Sequence, residues 1–93
     1  MAEAAELITR IEAHVGAATG GWANARALAV FNRLVVDLSR KLDHPHGERH
    51  LEMLCFWGET LYSTRRHRRW ERCVAPVRQI ILDELARCRV LLR

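Results

Sequence analysis

Apolar side chains recur along this chain at intervals of three and four residues, the period of a helix with one buried face. In the first segment, Ala2 to about Val15, the stripe is Ala4, Leu7, Ile8, Ile11 and Val15, with Glu3, Glu6, Arg10 and Glu12 on the opposite side. Acidic residues in the first turns suit the positive end of the helix dipole. Gly16, followed by Gly20 and Gly21, supplies the stop.

A second segment, about Trp22 to Leu42, has one seam of Ala27, Phe31, Leu34, Leu38 and Leu42. Leu28, Val30, Val35 and Val36 widen it beyond the ~100° stripe of an ordinary surface helix. The run Asp43-His44-Pro45-His46-Gly47 ends it, because the residue before proline is pushed out of the α region. The third segment, about Glu48 to Tyr62, lines up Leu51, Leu54, Cys55, Gly58, Leu61 and Tyr62, with Phe56 and Trp57 beside them. A glycine on an apolar stripe costs about 1 kcal/mol relative to alanine. Gly58 therefore predicts that another helix or an aromatic ring comes close there.

Pro76 divides the remainder. Proline fits best in a first turn, which predicts a short helix over about Thr64 to Cys73 and a second over about Pro76 to Leu92. One long helix kinked at Pro76 is the alternative. The last stripe is Val77, Ile80, Ile81, Leu85, Cys88, Leu91 and Leu92, broadened by Leu82. The pattern as a whole predicts an all-α fold, a compact bundle of four to five helices in one domain spanning residues 1–93.

Segments two and four carry more large apolar residues than one face each can hold. A contiguous exposed patch of that kind favours association, and a twofold axis lets one patch cover itself. A homodimer is therefore expected, with Val77, Ile81, Leu85, Cys88 and Leu92 at its interface.

Composition sharpens the class. Of 93 residues, 49% are hydrophobic and 28% charged, with two prolines and five glycines, as in a folded helical protein. No apolar stretch approaches the ~20 residues of a membrane span and the acidic start is unlike a secretory signal, so a cytoplasmic protein with no membrane association is expected. Cys55, Cys73 and Cys88 form an odd set without CxxC spacing, which predicts reduced thiols, mostly in the core.

The net charge of +4 is unevenly distributed, with the acidic residues favouring 1–20 and 43–62 and the basic ones concentrated after 62. There Arg65, Arg68, Arg69 and Arg72 fall on one helical face, with Trp70 beside them. Such a strip could meet phosphates or pair with carboxylates of an acidic protein. No helix-turn-helix or finger accompanies it, so nucleic-acid binding, the alternative function, would be electrostatic and salt-sensitive.

Candidate chemistry is sparse. His46 and His50 are four apart, with His44 and Cys55 nearby, a spacing that suits a transition metal. No HExxH or paired cysteine completes a set, which makes a metal-binding helical protein the lesser alternative. The spacing Arg40-x5-His46 resembles the short motif of the HEPN ribonucleases, but Lys41 departs from it and no residue role is carried over. No cofactor or catalytic motif stands out.

Dispersed arginine and glutamate on apolar helices suit stoichiometric binding better than catalysis. The expected function is that of a small non-enzymatic regulatory or adaptor protein. It would bind an acidic protein partner through apolar helix faces with a basic rim, for example by sequestering a transcription factor. The residues expected at that contact are Trp22, Leu28, Phe31, Val35, Arg65, Arg68, Arg69, Trp70 and Arg72.

Overall fold

Four α-helices make up the secondary structure of residues 3–18, 25–42, 47–62 and 74–92, the residues that the computed structural model describes, and no strand occurs among them. They are α1 (Ala4–Gly16), α2 (Ala25–Lys41), α3 (Gly47–Tyr62) and α4 (Val74–Val90). Pro76 sits in the first turn of α4, where its missing N–H breaks no intrahelical bond. The helix expected over Thr64 to Cys73 lies outside the described residues.

Each helix packs against the next in sequence, and α4 closes the ring against α1. Local contacts fix the directions. The His14 ring near the end of α1 bonds the Ala27 carbonyl at the start of α2, with Nε2 at 2.9 Å. Phe31, early in α2, lies against Gly58, late in α3. Glu84, beyond the middle of α4, meets His50 at the start of α3. Arg78 near the start of α4 donates to the Ala18 carbonyl just past α1. Sequential neighbours therefore run antiparallel, giving an up-down-up-down four-helix bundle. The radius of gyration, 12.6 Å, matches the ~12 Å of a single folded domain of this length.

The core is built from the predicted stripes. Ala4, Leu7, Ile8, Ile11 and Val15 of α1 are all buried, as are Phe31, Val35 and Leu38 of α2. Leu54 and Leu61 of α3 and Val77, Ile81, Leu85 and Cys88 of α4 complete the interior. Each large side chain removed from water in this way contributes about 1.5–3 kcal/mol. At Gly58, a β-carbon would collide with the Phe31 ring, so the glycine is where that ring enters α3. Tyr62 lies beside the same ring, with centroids 5.8 Å apart.

This arrangement absorbs part of the expected excess of apolar surface on α2 and α4. In a closed ring every helix has two neighbours, so a stripe wider than ~100° is accommodated inside one chain. Val77, Ile81, Leu85 and Cys88, expected at a twofold interface, lie in the chain's own core against α1 and α3. Leu92, just beyond α4, is exposed. Phe31 and Val35, expected to face a partner, are likewise core residues. Among the described residues, the large apolar side chains left exposed are Val30 and Val36 of α2, Met53 and Phe56 of α3, and Val90 and Leu92 at the end of α4.

Candidate functional site

The most concentrated polar chemistry among the described residues lies between α3 and α4. Glu84 falls seven residues after Val77 and four before Cys88, within the apolar stripe of α4, so the helix carries its carboxyl inward. It is only 6% exposed. A carboxylate there needs partners, and it has two. His50 Nδ1 lies 2.8 Å from Oε2, and Arg87 Nη1, one turn along α4, lies 2.7 Å from Oε1. His50 is itself mostly buried, whereas Arg87 is mostly exposed.

Beside this cluster a groove of about 380 Å³ is lined by Arg49, His50, Met53 and Glu84. Met53 is 40% exposed, and Phe56, one turn further along α3, is 49% exposed. Phe56 meets the Trp57 ring edge-on, with centroids 5.1 Å apart, and Trp57 packs against the core. The groove thus presents a thioether, with an aromatic ring one turn along and guanidinium groups beside it.

Chemically, the carboxylate holds the imidazole with hydrogen on Nδ1, an arrangement that orients a ring for metal ligation or proton transfer. Neither completes here among the described residues. No serine, threonine, cysteine or lysine among the described residues lines the groove, and no group of three or more His, Cys, Asp or Glu among them is placed to hold a metal. His44 and His46, the other two members of the expected histidine set, lie outside the described residues.

A second groove, about 460 Å³, runs between α2 and α3, lined by Val35, Val36, Ser39, Glu48, Leu51, Glu52 and Cys55. Cys55 was expected on the buried stripe but is exposed, because it sits at the edge facing this groove. Partial burial of its sulphur, and then the nearby Glu59 carboxylate, push its thiol pKa up. Cys88 is a core thiol, raised to about 11 by burial and by Glu84 one turn back. Tyr62 is raised to about 12 by burial, against the lowering effect of Arg78. Its hydroxyl reaches the His14 carbonyl at 3.4 Å.

Of the residues expected to bind a partner, Leu28 is half-buried against the core and Phe31 and Val35 lie within it. Trp22, Arg65, Arg68, Arg69, Trp70 and Arg72 lie outside the described residues. The α3/α4 cluster was missed although its signal is present, since a glutamate in register with an apolar stripe implies a buried carboxylate. No helix among the described residues is long and apolar enough to cross a membrane.

Comparison of the chain with protein-family models, with curated proteins and with solved structures finds no match.

Proposed function

We propose that this protein acts by binding another protein, as a small helical adaptor or regulator, and that the contact centres on the outer face of α3 where it meets α4. The observation that supports this most directly is the pairing of exposed apolar side chains, Met53 and Phe56, with the groove of Arg49, His50, Met53 and Glu84. Met53 and Phe56 are three residues apart and share a helical face, the spacing with which one helix engages another. Arg49 and Arg87 flank that face with positive charge, while Glu84 is already engaged by His50 and Arg87. The face suits an amphipathic segment with carboxylates beside its apolar stripe, which agrees with an acidic partner.

Affinity isolation from the native cell is expected to recover one protein at fixed stoichiometry. Met53→Asp and the pair Arg49→Glu with Arg87→Glu should each weaken that capture at least tenfold, about 1.4 kcal/mol, with little change in thermal stability. Capture unaffected by both variants overturns this reading. So does salt-sensitive nucleic-acid binding that substitution of Arg65, Arg68 and Arg69 abolishes, which would establish the nucleic-acid alternative.

A further inference from the structure

The face formed by α2 and α3 carries a charge pattern that is complementary to itself. On α2, the exposed Val36 is flanked at i−3 and i+4 by Arg33 and Arg40. On α3, the exposed Cys55 is flanked at the same offsets by Glu52 and Glu59, with Glu48 one turn further back. All five charged residues are exposed, and none is ion-paired among the described residues. One edge of the face is therefore mainly basic, with a half-buried Asp37 beside the two arginines, and the other acidic, with Val36, Leu51 and Cys55 about the groove between them.

We infer that this face receives a second copy of the chain, related by a twofold axis parallel to the helices. The charges select that axis. A twofold parallel to the helices sets α2 of one copy over α3 of the other at the same height, so that arginines meet glutamates. A twofold perpendicular to the helices in the plane of the face sets α2 on α2, and arginine on arginine, which is repulsive.

The heights also agree. Phe31 packs at Gly58, and the groove is shared by Ser39, Glu48, Val36 and Glu52. Because α2 and α3 are antiparallel, Arg40 then stands level with Glu48 and Arg33 lies between Glu52 and Glu59. Any single-signed partner would leave one edge of this face unmatched; a second copy matches both. The inference is independent of the α3/α4 contact proposed above and concerns different side chains.

Sedimentation velocity on the full chain across micromolar to submillimolar concentrations tests it. The wild type is expected to dimerise, more weakly at high salt. A double variant, Arg33→Glu with Arg40→Glu, and a triple variant, Glu48→Arg with Glu52→Arg and Glu59→Arg, should each raise the dimer Kd roughly tenfold or more, because every seam becomes like-charged. The two variants mixed should associate with each other again. In that mixed pair one seam is wild type and the other has both signs reversed. Circular dichroism on each variant confirms that the helices are retained. A wild type that stays monomeric throughout overturns the inference, as does a dimer that the charge reversals leave unchanged or a mixture that fails to reassociate.

Discussion

The two seams that α3 makes with its neighbours are closed by opposite chemistry. Against α2, an aromatic ring sits directly on a glycine, an apolar contact without spare volume at that height, while nearer Glu48 a groove opens between the same two helices. Against α4, a buried carboxylate is held by a histidine and an arginine beside an open groove. The first seam is specified by shape and should be intolerant of added atoms. The second is specified by charge and should tolerate changes of volume better than loss of a partner. The same helix can thus carry a close glycine–ring contact toward one end and an exposed apolar and charged surface toward the other.

The largest effect is expected at the first seam. Phe31 is fully buried, so its ring cannot move aside cheaply when a β-carbon is added at Gly58. Gly58→Val should cost about 3 kcal/mol or more, and Gly58→Ala about 1–3 kcal/mol even after the gain in helix propensity. In urea denaturation, Phe31→Leu combined with Gly58→Ala should be less destabilised than the sum of the two single changes, since the smaller side chain makes room. A neutral Gly58→Ala would show that the ring has another place to go.

The seams should also separate in alkaline solution. Cys88 lies beside the buried Glu84 and titrates near 11 rather than at its ordinary 9, while Tyr62 lies against Phe31 and titrates near 12 rather than 10. In each case the unfolded chain loses its proton first, so the folded state binds more protons across the interval and stability falls as pH rises. The contribution is intact below pH 9. It declines between about 9 and 11 for Cys88 and between about 10 and 12 for Tyr62, by on the order of 2–3 kcal/mol for each group. Unfolding free energy measured against pH should lose its lower limb in Cys88→Ala and its upper limb in Tyr62→Phe. A flat profile in the wild type would contradict both assignments.

These seams differ as much in how far the sequence discloses them. The apolar period located all four helices and nearly every core residue, because burial repeats with the helix and needs only residue type to be seen. Gly58 was legible for the same reason, as a small residue on a large stripe. Period alone could not show whether the width of α2 and α4 serves a second chain or a second neighbour within this one. That depends on the ring closing, a property of four helices together. The His50–Glu84 contact spans 34 positions and joins a residue that reads as a loop histidine to one that reads as a surface acid. Only the register of Glu84 with Val77 and Cys88 hinted at burial.

At the second seam the expected effects are smaller and depend on charge. Glu84→Gln keeps the side-chain shape but weakens two charge-assisted hydrogen bonds, and should cost about 1 kcal/mol. Glu84→Ala should cost about 2 kcal/mol, because His50, mostly buried, then loses its partner. The exposed guanidinium of Arg87 is screened by solvent, so Arg87→Ala should change stability by less than about 0.5 kcal/mol. A double-mutant cycle between His50→Ala and Glu84→Ala is expected to return a coupling of about 1 kcal/mol, while the cycle between Arg87 and Glu84 returns almost none. Equal couplings would mean that the exposed arginine holds the carboxylate as firmly as the mostly buried histidine does. The contrast between a seam set by shape and one set by charge would then rest in part on a surface ion pair and would be weaker.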